Sequence, residues 1–185
     1  MYETLKLHWV FGAGLMAGAL LLLTPLLYDV WPLSLLLLFL HSPGYMIHQV
    51  EEHAGDRFRA FVNARLAGGR EALSTLDVIW INVGAVWGMN LAALYAGRFV
   101  EPGWGLAAPY LMLVNAISHI GSAAKFGGYN PGLATSVAIF LPLSIASLWL
   151  IPATPLQHGL GLALAIAVHL AIAVRVMWRA KRLAR

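Results

Sequence analysis

"PLSLLLLFLHSPGYMIHQVEEH", residues 32–53, carries two opposed signals in one run. Its first half is leucine-rich and reads as membrane helix. Its second half places His41, His48, Glu51, Glu52 and His53 in a short stretch. A charged side chain inside hydrocarbon costs about 2.5–3.5 kcal/mol on insertion scales unless it is paired, hydrated or metal-bound. Such polarity at the end of a membrane helix marks chemistry or a specific internal contact.

The rest of the chain supports the membrane half of that reading. Of 185 residues, 60% are hydrophobic and only 11% charged, against about a quarter charged in soluble domains. Apolar runs of about 20 residues, enough to cross a bilayer, recur along the whole length. The expected fold is an all-α integral membrane protein, a six-transmembrane-helix bundle forming one polytopic domain over residues 1–185. The spans are expected at residues 9–30, 32–52, 75–97, 104–124, 132–151 and 157–178. Breakers separate them: Trp31-Pro32, Gly68-Gly69, Pro102-Gly103, Asn130-Pro131-Gly132, and Pro152 with Pro155. The first apolar run has no small-residue cleavage site, so it reads as a retained helix. Gly14 with Gly18, and Gly84 with Gly88, have the spacing that lets helices approach closely in lipid. Trp9, Trp31, Trp80, Trp104, Trp149 and Trp178 are expected as interfacial anchors. Cysteine is absent, which excludes disulfides and thiolate metal sites.

Basic residues orient the bundle. With the N-terminus in the cytoplasm, every Lys and Arg except Arg98 falls inside, a split of eleven to one. Six spans return the C-terminus to the same side. The net charge of +4 then describes a cytoplasmic rim, and no nucleic-acid partner is implied. The expected location is a bacterial inner membrane with both termini cytoplasmic. Between the second and third spans, Phe58, Phe61, Val62 and Leu66 share one face of "DRFRAFVNARLAGG", residues 56–69. This predicts a short cytoplasmic amphipathic helix on the inner leaflet, begun by an Asp56 cap and stopped at Gly68-Gly69.

With that topology, polar residues far apart in sequence reach one depth. An α-helix turns about 100° per residue, so His41, His48 and Glu52 form a narrow stripe if Pro43 does not rotate the upper part. Asn115, His119 and Ser122 make a comparable stripe on the fourth span. Asp77 and Asn82 start the third span, Tyr129 and Asn130 precede the fifth, and His169 lies deeper on the sixth. Histidine and carboxylate three or four residues apart on a helix is metal-ligand spacing. His53, last in its run, is expected near headgroup water and stays a candidate ligand. His8 and His158 sit at helix ends.

His48-Gln49-Val50-Glu51-Glu52, a later isolated His119, and Tyr129-Asn130-Pro131-Gly132 resemble the HXXEE family of integral membrane proteins, over roughly residues 40–135. That family combines an H-x-x-E-E motif, another histidine and a Y-x-P-G motif. The resemblance implies an enzyme, with His48, Glu51, Glu52, His119 and Tyr129 as the positions that carry its activity.

The function expected is therefore that of a metal-dependent membrane enzyme, metallohydrolase-like, acting on a lipid-soluble small molecule in the cytoplasmic half of the bilayer. Its metal is zinc or iron, drawn from His48, Glu51, Glu52, His119 and His53. Glu51, Glu52, Tyr129 and Asn115 are the catalytic candidates, with the glutamate that is not a ligand as general base. A di-iron hydroxylase or desaturase, recruiting His53, Asp77 or His169, is the redox alternative. A proton- or cation-coupled transporter, or a structural membrane subunit, remains open. So does homo-oligomerisation; the other partners expected are membrane lipids.

Overall fold

The computed structural model describes residues 2–185, and the side chains of all of these but positions 2, 3 and 5. Every regular element among the described residues is helical. Six long helices follow in chain order: α1, Tyr2–Tyr28; α2, Leu33–His53; α4, Thr75–Phe99; α5, Pro102–Phe126; α6, Leu133–Leu150; and α7, Pro155–Leu183. The short α3, Arg57–Ala67, lies between α2 and α4.

Five of these are long and apolar enough to cross a membrane: α1 from Lys6 onward, α4, α5, α6 and α7. Their outer faces suit lipid, with Leu22 80% and Trp149 86% exposed. α2, expected as another span, has the length at 21 residues but is not among the five. The polar run from His41 onward dilutes its hydropathy. It is instead the helix most enclosed by protein. Fourteen of its 21 residues are buried, against four of 29 in α7, and it packs against α1, α4, α5 and α6. A helix walled in by its neighbours can carry polar residues that lipid would reject.

Small residues make the α1–α2 contact. Ala13 and Ala17 are buried against Met46, and a Cβ on Gly14 would stand 3.4 Å from Val50 Cγ2. Gly18 and Gly88 have no neighbour at that distance, and Gly84 meets only Trp80 of its own helix. Close packing therefore runs through Ala13, Gly14 and Ala17, not through the expected glycine pairs. Trp9 is also no interfacial anchor. It is buried, with its ring 5.0 Å from that of His53.

α3 stops as expected, with Gly68 left-handed at φ 61° and the Gly68 and Gly69 amides donating to Asn63. Its start differs: the Asp56 side chain does not cap it but pairs with Arg59. Phe58 and Val62 pack inward on the cluster of Trp9, Ile79 and Val176, while Leu66 is 45% exposed. The apolar face thus turns partly toward the bundle, which it roofs. α4 begins with a reciprocal capping box between Ser74 and Asp77. Asp77 also binds Arg175, at 2.6 Å, and Arg179 of α7. This ties α4 to the end of the chain. Both α4 and α6 contain π-helical segments, Trp80–Trp87 and Ser136–Phe140, and such segments often accompany functional positions.

Candidate metal centre

His48 and Glu52 are four residues apart on α2, so they share a face one helical turn apart. α5 brings His119 against them. Glu52 Oε1 lies 3.0 Å from His119 Nε2, and Glu52 Oε2 lies 3.5 Å from His48 Nε2. One ligand atom from each of the three falls within 4.8 Å of the others, so His48, Glu52 and His119 can hold a metal ion. All three are buried. His53, expected near headgroup water, is buried too, with Nε2 3.1 Å from Glu52 Oε2. Its position next in sequence to Glu52, under Trp9 and Phe58, keeps it inside.

Hydrogen bonds from behind fix which nitrogen each imidazole offers. The Thr135 hydroxyl has one proton, which goes to the Glu51 carboxylate 2.5 Å away. Thr135 Oγ1 must then accept from His48 Nδ1 at 2.8 Å. His48 Nε2 is left with a lone pair, buried and without a hydrogen-bond partner. For His119, Asn130 donates its amide to the His119 carbonyl at 2.9 Å, so the Asn130 carbonyl accepts from Nδ1 at 2.6 Å. His119 Nε2 faces Glu52 Oε1 and, in the neutral ring, carries a lone pair toward it. A third relay starts at Trp87, whose indole N–H can only donate. It donates to Gln49 Oε1 at 2.8 Å, Gln49 donates to Asn82 Oδ1 at 3.0 Å, and Asn82 donates to His53 Nε2 at 3.1 Å. In the neutral rings, the His48 and His119 lone pairs are thus turned toward one carboxylate, while the His53 lone pair is taken by Asn82. Acceptors repel at these distances unless a cation or a shared proton stands between them. Neutral imidazole and carboxylate are divalent-metal donors, and the partners behind them orient the rings as outer partners do at metal sites.

The Y-x-P-G turn supplies the remaining wall. Gly132 has φ 98°. A Cβ there would lie 2.6 Å from His119 Cε1, 2.8 Å from Glu52 Cγ and 2.8 Å from His48 Cε1. Only glycine satisfies both the backbone and the space.

Glu51 is engaged elsewhere. Oε1 accepts from Tyr129 Oη at 2.7 Å and the Ala134 amide at 3.0 Å. Oε2 accepts from the Thr135 amide at 2.7 Å and from its hydroxyl. These amides belong to the first turn of α6, where unpaired N–H groups attract an anion. Gly132 at the N-cap has no side chain to do so, and Glu51 caps α6 from α2. With four donors, its lone pairs are filled. Tyr129 is 58% exposed. Partial desolvation and its hydrogen bond to Glu51 hold its phenol above the ordinary value.

A cavity of about 360 Å³ opens from this centre, between α3, α4, α5 and α7. Glu52, His53 and His119 line it, while His48 does not. Asn115 is on its wall, with a buried Oδ1 that has no hydrogen-bond partner. His169 is also on the wall, its Nδ1 donating to the Ala165 carbonyl at 2.9 Å, which leaves Nε2 as the acceptor. Asp77 is committed to Ser74, Arg175 and Arg179. His41 is buried, with its Nδ1 donating to the Leu37 carbonyl, and His158 pairs with Tyr110.

Sequence reasoning missed Thr135, Gln49, Asn82 as an orienting group, and Trp87. Gln49 lay in plain view, inside the H-x-x-E-E run. Thr135, one turn beyond the Y-x-P-G turn, gave no signal of its own.

No curated protein and no solved structure matches the chain. A family match does exist. It spans residues 39–147, more than half of the chain, from the middle of α2 into α6. It contains His48, Glu52 and His119, the Glu51 cap and the Gly132 turn. The chain belongs to the HXXEE family, described as proteins of unknown function with an HXXEE motif.

Proposed function

We propose that the protein is a metal-dependent integral membrane enzyme that binds one divalent cation through His48, Glu52 and His119. The observation that carries this is the convergence of His48 Nε2 and His119 Nε2 on Glu52, the two rings held from behind by Thr135 and Asn130. Two histidines and a glutamate are a ligand set of zinc hydrolases and equally of iron oxygenases. Hydrolysis is the reading preferred here. A dinuclear iron centre needs further carboxylates, and Glu51 and Asp77 are held by other partners. When bound, a divalent cation supplies Lewis acidity, polarising a carbonyl or phosphoryl oxygen and acidifying water. Glu51 holds Thr135 and, through it, His48. His169 Nε2 and Asn115 Oδ1 offer acceptors on the cavity wall for a substrate or water proton, and Tyr129 steadies Glu51.

In this reading α2 is a sixth span, sheltered from lipid by α1, α4, α5 and α6. Both termini and α3 face the cytoplasm, as the basic residues require. The mostly apolar cavity suits a lipid-soluble substrate, and its volume is in the range of small-molecule sites.

Elemental analysis of the purified protein tests the proposal: about one zinc or iron per chain is expected. His119→Ala and Glu52→Gln should abolish it, while Glu51→Gln should weaken binding by about 10–100-fold, as loss of an outer partner does. Wild-type protein that takes up neither metal would move the assignment to a proton relay or a structural network.

A further inference from the structure

The rim of the cavity carries a charge pattern that its floor does not explain. Arg65 on α3 and Lys125 on α5 both line it. The Arg65 guanidinium lies 5.5 Å from the Phe126 ring and 5.9 Å from that of Phe61, and Lys125 Nζ lies 5.4 Å from Phe126. The two phenylalanines meet edge-on at 5.8 Å. Nearby cations have acidic partners: Arg59 binds Asp56 and Glu71, and Arg175 and Arg179 bind Asp77. Among the described residues no carboxylate pairs with Arg65 or Lys125. Among the described residues, Glu52, at the floor, is the only acidic residue lining the cavity.

Geometry sets the spacing. Lys125 and Phe126 are six and seven residues beyond His119 on one helix, a rise of about 9–10 Å. Arg65 is seven residues beyond Phe58, whose ring lies 5.8 Å from that of His119. Two unpaired cations thus stand about two helical turns from the centre, over an aromatic and aliphatic wall. We infer that the cavity binds an anionic amphiphile, its head group held by Arg65 and Lys125 and its apolar body running past Phe61 and Phe126 toward Glu52 and His119. This inference rests on the proposed site as the cavity floor, and it narrows the substrate to molecules whose anion stands about 10 Å from the reacting bond. A phosphate or a carboxylate head has the chemistry required, since guanidinium and ammonium groups bind both.

The test is equilibrium binding to the full chain in phosphatidylcholine nanodiscs, with three radiolabelled probes of one chain length: monoacylglycerol phosphate, the free fatty acid and neutral monoacylglycerol. At least one anionic probe should bind tenfold or more tightly than the neutral one, and the tighter of the two identifies the head group. The double variant Arg65→Gln, Lys125→Gln should erase that preference, while Arg70→Gln, off the cavity, should keep it. Both rim residues are exposed, so a melting curve will confirm that the double variant is folded. Equal binding of all three probes, or a preference that survives the double variant, overturns the inference and leaves both cations as topology signals. Repeating the measurement with chelator and with His119→Ala separates the two claims. An anionic preference without metal supports this inference even if the metal reading fails. Metal uptake without the preference does the reverse.

Discussion

Replacing Gly132 with alanine places one methyl group where three proposed ligands meet. The new Cβ would stand 2.6–2.8 Å from carbons of His119, Glu52 and His48, about 1 Å inside ordinary carbon contact distance. The backbone adds a second penalty, because φ is 98°. A non-glycine residue held in such a region costs about 1–3 kcal/mol, and overpacking a filled interior about 1–3 kcal/mol more. The sum, roughly 2–6 kcal/mol, can be relieved in two ways. The turn before α6 can shift outward, dragging Thr135 away from His48, or the three side chains can spread. Either movement breaks the donor set. If about 3 kcal/mol of the strain falls on the ligands, metal affinity drops roughly 100-fold.

The assay is metal retention against a graded chelator series, with melting temperature recorded on the same samples. Gly88→Ala is the matched control, since Gly88 has nothing within 4 Å and an ordinary φ of −60°. It should be neutral or stabilising by up to about 1 kcal/mol. If Gly132→Ala retains metal as tightly as the wild type, the ion does not sit among these three side chains.

Thr135→Val removes the acceptor that orients His48 while keeping the shape. It should lower metal affinity by about 10–100-fold, and Thr135→Ser should restore most of it; chelator competition reads both. Tyr129→Phe removes one of four donors from Glu51. At an exposed site this should reduce stability by about 1 kcal/mol or less and change turnover less than tenfold, whereas a fall of 100-fold with metal retained would make the phenol catalytic. Reporter fusions at Val30 and Gly69 should report opposite sides of the membrane, as should fusions at Ala153 and after Arg185. A shared side for the first pair would mean that α2 does not cross.

How much of this was legible in the sequence depends on the range of the interaction. The long apolar helices follow from hydropathy alone, and the pairing of His48 with Glu52 follows from a four-residue spacing. The meeting with His119 needed the alternation of span directions, which the basic residues supplied. What did not follow was the division of labour between Glu51 and Glu52. Adjacent glutamates point about 100° apart on a helix, so one must face the centre and the other a neighbour. Which faces which depends on where the start of α6 lies, and that is a tertiary fact. The placement of Trp9 failed for a similar reason. Tryptophan at a helix end usually marks an interface, but here α1 lies against α2 where His53 needs cover.

The helix with which the sequence reading began shows why hydropathy and function diverge. α2 combines a leucine-rich half with a His/Glu half, and the neighbouring helices that enclose most of it let it hold both. Its leucine half packs on Leu106 and Ile151, while His48 and His53 of its polar half are oriented by Thr135 and by the Trp87–Gln49–Asn82 relay. The polarity of these hydrogen bonds also bears on the alternative of proton transport. A relay works when each member can both receive and pass on a proton. Here Glu51 receives four hydrogen bonds and passes none, and the Asn130 amide is pinned at both ends by His119 itself. The Trp87 relay begins at a group that only donates. His48 Nε2 is buried without a hydrogen-bond partner, which leaves it available to the proposed cation. These connections hold the His48 and His119 rings against one buried carboxylate, the arrangement that the proposed cation would use.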